Sequence, residues 1–332
     1  MRRIAARILT TLAALLLASA ATAQTESDGA RYAGMCDASA AVALGPKLFV
    51  VASDEDNVLR VYRRDQPGKP VHTFDLAPFL QPSPDYPEAD IEGAARIGDR
   101  IYWIGSHATN KNGKPRSSRH RLFATQLKIA ADQVSLTPVG MPYKNLLNDL
   151  GAAPGLADFN LAEAAQRSPE SVGGLNIEGL AATPQGTLLI AFRNPIPGGQ
   201  ALLVPLDNPQ EVVAGKAARL GQPILLSLEG RGIRDIAYFE AWGSYLILAG
   251  PYDDHGDFKL YRWSGSASVQ PEAIKGLDFK DLHPEALIIY PGDKSTIQIL
   301  SDDGAAQVDG KDCKNPKLKP GKKSFRSVWV TL

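Results

Sequence analysis

The sequence is short of the residues that announce common chemistries. Its 332 residues hold two cysteines, three methionines and five histidines. With so few thiols, metal chemistry would fall to hard oxygen ligands, and so to Ca²⁺ or Mg²⁺ over Zn²⁺. Charge of one sign is also missing: 36 Lys and Arg balance 36 Asp and Glu, which excludes a protein that holds polyanions by bulk positive charge. No nucleophile elbow, metalloprotease helix motif, phosphate loop or dinucleotide fingerprint is present, so no organic cofactor is implied. What is there is an ordinary globular mixture, 44% hydrophobic and 22% charged, which rules out a disordered chain. Length alone predicts two domains, although sandwiches, barrels and propellers exceed that size as one unit.

One long apolar run stands at the start. Arg2, Arg3 and Arg7 precede the apolar stretch from Ile8 to Ala20, and Ala21-Thr22-Ala23 forms a small-residue cleavage site. Residues 1–23 read as a signal peptide, cleaved after Ala23, and no second such run follows to span a membrane. The expectation is a periplasmic or secreted monomer. Removing those three arginines leaves 33 basic against 36 acidic residues, a net charge of −3 that favours small ligands or cations over nucleic acid. Export also permits a bridge between Cys36 and Cys313, near opposite ends of the mature chain, with two unpaired thiols as the alternative.

A degenerate repeat runs through the remainder. Cys36-Asp37-Ala38-Ser39, Asp90-Ile91-Glu92-Gly93, Asn176-Ile177-Glu178-Gly179, Ile233-Arg234-Asp235-Ile236 and His283-Pro284-Glu285-Ala286 each set an acid before small or apolar residues. Each is followed by a turn and a short apolar run flanked by Gly, Asp or Pro, the pattern of a buried strand. The acids at 37, 92, 178, 235 and 285 are spaced by 55, 86, 57 and 50 residues, at or above the period of propeller blades. The long interval contains helical patterns near 143–169, which read as an insertion. This predicts an all-β fold: a single β-propeller over 24–332, with five blades and a sixth left open. The segment around Ala30 would add the last blade's missing strand and close the ring, bringing Cys36 to Cys313. A sandwich is the competing architecture, but it needs no acid at one fixed point per unit.

In a propeller the innermost strands start at one channel mouth and the second strands end there. Asp37, Glu92, Glu178, Asp235 and Glu285 should therefore converge as candidate metal ligands. The ends of the second strands add Ser53-Asp54-Glu55-Asp56, His107, Arg193, Asp253-Asp254 and Asp302-Asp303. Converging carboxylates must be neutralised by protons, Arg, Lys or a cation. Alternatively each acid caps backbone amides; Asp37 and Asp235 suit that reading best, while Glu92 and Glu178, each followed by Gly, suit a site. The basic loop from Ser106 to Arg121 leaves the same face, and Lys111 and Arg119 have the chemistry to hold an anion. His107, directly after a strand, is the candidate acid or base, with Arg193 or Arg119 orienting an anionic substrate.

These same motifs, with Ala52-Ser53-Asp54-Glu55-Asp56-Asn57 and the Ser106-His107 loop through Arg119, resemble the bacterial domain-of-unknown-function 3616 family. The resemblance covers essentially the whole mature chain and brings no established activity. The Ile-Glu-Gly-Leu motif is also similar to phytase-like esterase propellers, a resemblance that implies a propeller face binding Ca²⁺ and a phosphoester. The leading expectation is a divalent-metal-dependent hydrolase of a phosphoester or lactone. Its rival is a non-catalytic propeller that binds a cell-envelope protein or glycan on the same face.

Overall fold

The computed structural model describes residues 24–25, 29–130, 133–253 and 255–332. The signal-peptide expectation for 1–23, and Asp254 of the mouth, lie outside the described residues. The chain forms a β-propeller of five blades. The first blade is Ala40–Ala43, Leu48–Ala52, Val58–Arg63 and His72–Asp75; the second is Ile91–Ile97, Arg100–Gly105, Leu122–Ala130 and Gln133–Tyr143. Asn176–Ala182, Leu188–Asn194, Ala201–Leu206 and Ile224–Leu226 make the third, and Gly232–Phe239, Ser244–Gly250, Lys259–Trp263 and Glu272–Ala273 the fourth. The fifth takes Pro284–Ile288, Thr296–Ser301 and Ser324–Thr331 from the end of the chain.

Both Gln24–Thr25 and Ala30–Ala33 pair antiparallel with Ser324–Thr331, so the two chain ends share one blade. The innermost strands contact one another in order, and that of the fifth blade contacts that of the first. Each innermost strand remains the edge of its own sheet, and closure shelters these short edges inside the ring, which is how a propeller avoids edge-to-edge association. Cys36 and Cys313 are bridged, with Cα atoms 5.9 Å apart across a separation of 277 residues. In the chain-entropy model a loop of that length is stabilised by about 5 kcal/mol.

Apolar side chains fill the five interfaces between successive blades, which explains why the middle strands are apolar on both faces. Leu188–Asn194 and Ser244–Gly250 are buried along their whole length. The interface between the second and third blades is extended by the insertion, whose short helices Leu146–Ala152 and Leu161–Ala164 place Leu146, Leu150 and Leu161 over it. No helix among the described residues is long and apolar enough to cross a membrane.

Candidate functional site at the channel mouth

Four of the five innermost strands begin with a β-bulge, and the bulged residue points into the channel. In the second blade Ile91 pairs with Gly105 and Gly93 with Ile104, leaving Glu92 unopposed. Glu178 is left over in the same way in the third blade and Glu285 in the fifth. In the fourth the residue left over is Arg234, because Ile233 pairs with Ala249 and Asp235 with Leu248. A bulge adds one residue to one strand and re-aims its side chain. Arg234, and not Asp235, is therefore the structural equivalent of the three glutamates. Ser39, whose amide bonds the Ala52 carbonyl at 3.2 Å, takes the corresponding place before the regular first blade.

These five positions line a cavity of about 1040 Å³ at the mouth, together with Asp54, Glu55, Asp90, Arg119, Arg193 and Asp302. The structure thus brings Glu92, Glu178, Glu285, Arg119 and Arg193 together, as the repeat predicted, and leaves three candidates outside the lining. Asp235 is turned away: its carboxylate accepts hydrogen bonds from the amides of Ile236 and Leu287, both at 2.7 Å, and so staples the fourth blade to the fifth. The one-residue offset from Arg234 puts it on the opposite face of the strand. Asp37 is 3% exposed and packs beside the disulfide. Burial first, then the neighbouring Asp54 and Asp302, push its carboxyl up to about 9.

His107 is fully buried behind the mouth, and Ala108 and Asn110 of the same loop line the cavity instead. Its backbone is left-handed, with φ of 56°, its Nδ1 lies 2.8 Å from the Gly105 carbonyl, and its ring stacks on His120 at 5.6 Å with 5° between planes. Burial, followed by the adjacent His120, lowers its pKa to about 3, so the ring is neutral at ordinary pH. The candidate acid or base of the sequence is thus buried and outside the cavity lining.

The arginines are engaged with carboxylates. Arg193 Nη1 lies 2.9 Å from Glu178 Oε1, and Arg234 Nη1 lies 2.6 Å from Glu285 Oε1 and 3.3 Å from Glu178 Oε2. Arg119 reaches Glu88 at 2.8 Å and Asp90 at 3.0 Å. None is held open for an anion. Burial still raises the Glu285 carboxyl well above its usual range, opposed by Arg234.

Charge remains on the other side. Carboxylate oxygens of Asp54, Asp90 and Glu92 lie within 4.8 Å of one another, and so do those of Asp37, Asp54 and Glu55. Burial, then Asp90 and Asp54, raise Glu92 well above the usual range; burial, then Asp302, do the same to Asp54. Asp90 is pushed up to about 6 by burial, although Arg119 opposes the shift. Asp90 also has φ of 53°, a conformation rarely adopted by a residue with a side chain and one that collects at functional sites. Asp90 stands two residues before Glu92 in the same motif, and that spacing is the signal for it in the sequence. The glycines after Glu92 and Glu178 have a packing cause: a Cβ on Gly93 would come 2.8 Å from Ile104, and one on Gly179 2.8 Å from Ala191.

The rim is tied down by polar contacts from the insertion. Thr109 Oγ1 donates to the Arg167 carbonyl at 2.6 Å, and Asn194 Nδ2 to the carbonyls of Pro169 at 2.8 Å and Ser171 at 2.7 Å. Pro169 and Glu170 reach the cavity as a fixed wall.

The family model for DUF3616, described as a protein of unknown function, matches residues 37–135 and 143–291. The chain belongs to this family. No curated protein matches the sequence. Among solved structures, the chain of this DUF3616 member is similar to Myxococcus xanthus glutaminyl cyclase, with 12% identity over 94% of this chain and 97% of that one and a TM-score of 0.42. It is similar to a putative oxidoreductase (glucose dehydrogenase) of Thermus thermophilus, with 13% identity, 93% and 99% coverage and a TM-score of 0.44. The PQQ-bound aldose sugar dehydrogenase of Streptomyces coelicolor gives 12% identity, 92% and 100% coverage and a TM-score of 0.45.

Proposed function

We propose that this DUF3616 propeller binds Ca²⁺ or Mg²⁺ through Asp54, Asp90 and Glu92 and hydrolyses a small ester, an anionic phosphoester or a lactone, at the loaded mouth. The observation that carries it is the convergence of those three carboxylates within 4.8 Å, on the side of the cavity where Asp54 and Glu92 lack an arginine partner among the described residues. Oxygen donors in that number suit a hard cation. Bound there, the cation would polarise an ester oxygen and lower the pKa of a water. Arg119 fixes Asp90 from behind and so orients one of the three ligands. With Arg119 and Arg193 paired, an anion would be held through the cation, with Lys111 on the rim as its other contact. The disulfide supports a periplasmic or secreted site of action.

Calorimetry on chelator-treated protein is expected to show Ca²⁺ or Mg²⁺ binding that Asp90→Asn and Glu92→Gln each weaken by roughly tenfold or more. No heat with either cation ends the proposal. Cation binding without turnover across a panel of phosphoesters and lactones transfers the mouth to the rival role, capture of an envelope protein or glycan.

A further inference from the structure

We propose that the first blade supplies a second divalent-cation position, formed by Asp37, Asp54 and Glu55, so that Asp54 bridges two cations. The inference rests on Asp54, Asp90 and Glu92 being the first position. The two groups of carboxylates, each with oxygens within 4.8 Å, share Asp54 and no other residue. A carboxylate has two oxygens and about four lone-pair sites, enough to serve both positions.

Asp37 provides the independent sign that something is bound here. It is 3% exposed, its carboxyl lies in hydrogen-bond contact with that of Asp302, and its buried Oδ1 meets no N–H or hydroxyl donor among the described residues. A buried carboxylate oxygen without a donor is costly, and native structures tolerate one where a ligand or ion completes it. The chain is built to hold Asp37 in place. The bridge from Cys36 to Cys313 fixes the residue before it, and the Cys36 carbonyl accepts the Asp303 amide at 3.0 Å. Gly304 passes so close that a Cβ there would lie 1.8 Å from Asp37 Oδ1, which only glycine permits. That passage brings Asp302, whose Oδ1 accepts the Gly304 amide at 2.7 Å, beside the same cluster.

Four carboxylates, those of Asp37, Asp54, Glu55 and Asp302, thus gather around one cation of the protein, Lys314, whose Nζ is 3.2 Å from Glu55. The Lys314 side chain is 49% exposed, so it can swing into solvent and leave Glu55 to a metal. Two cations on one bridging carboxylate sit about 3.5–4 Å apart, the spacing that clamps both the attacking and the leaving oxygen of a phosphoryl transfer. This assigns the mouth to phosphoesters over lactones.

Mn²⁺ tests the arrangement on the chelator-treated full-length protein. Calorimetry is expected to give two Mn²⁺ per chain, and electron paramagnetic resonance an exchange-coupled pair. Asp37→Asn should bind one Mn²⁺, uncoupled, with the remaining affinity unchanged. If that variant does not fold, Glu55→Gln, at an exposed position, should give the same loss of coupling. One Mn²⁺ per wild-type chain, or two without coupling, overturns the second position and leaves the first standing. No Mn²⁺ at all, with none of Ca²⁺ or Mg²⁺, overturns both.

Discussion

On the side of the mouth built by the third, fourth and fifth blades, Glu178 and Glu285 are held by Arg193 and Arg234. On the side built by the first and second, Asp54 and Glu92 stand with Asp37, Glu55 and Asp302, and Arg119 forms its ion pairs among the described residues with Asp90 and the rim residue Glu88. The same repeat makes both sides. What separates them is two arginines: Arg234 at the bulge of the fourth blade, where the second, third and fifth carry glutamate, and Arg193 near the end of the third blade's second strand. Arginines close their side into an ion-pair network, and the side where Arg119 and Lys314 meet a larger number of carboxylates must take the rest of its counter-charge from protons or from a bound cation.

The sharpest way to break this contrast is to remove Arg234. Arg234→Met would leave Glu178 and Glu285 buried with half of their compensation gone, and stripping one partner from a buried pair costs about 3–5 kcal/mol. Denaturant unfolding should show a loss of that order. Stability within error of wild type would mean that the two sides do not differ as described.

The pH dependence separates the loop from the acids. A histidine held neutral in the fold at about 3 destabilises the native state as its unfolded counterpart, near 6.5, takes up a proton. Stability from His107 is therefore complete above about pH 6.5 and falls by up to a few kcal/mol towards pH 3. The raised carboxyls act in the opposite sense: Asp90, at about 6 in the fold, contributes most below its unfolded value and loses that contribution as pH rises through 6. His107→Gln should flatten the acid limb of melting temperature against pH and leave the alkaline limb alone. An unchanged acid limb would put the proton uptake elsewhere.

The smallest effect is expected from Asp235→Ala. It strips the acceptor from two buried amides, those of Ile236 and Leu287, at about 1–3 kcal/mol for each, offset by the relief of its own buried carboxyl. Cation affinity should not change, since this carboxylate lies on the other face of its strand. A drop in affinity by calorimetry would restore Asp235 to the site.

Much of this fold was legible in the chain. The short apolar run after each acid became the second strand of its blade, as in Leu188–Asn194 and Ser244–Gly250, because a strand buried on both faces must be a short apolar run between turn residues. The spacing of the acids gave the blade count, and the insertion falls where the long interval placed it. The candidate site was less legible. His107 looked like a strand-end base because sequence does not reveal that the loop folds back over it.

By itself the sequence determined five repeats, the acids at their starts and two cysteines placed to be bridged. Tertiary structure decided which of those acids meet. A bulge shifts the side-chain alternation by one residue, exchanging Asp235 for Arg234 at the channel, and periodicity cannot signal where a bulge will form. The charge that remains at the mouth is a sum over residues brought together from all five blades, such as Arg234 with Glu178 and Glu285. That sum depends on distances of a few ångströms across the closed ring, which exist only once the ring has closed.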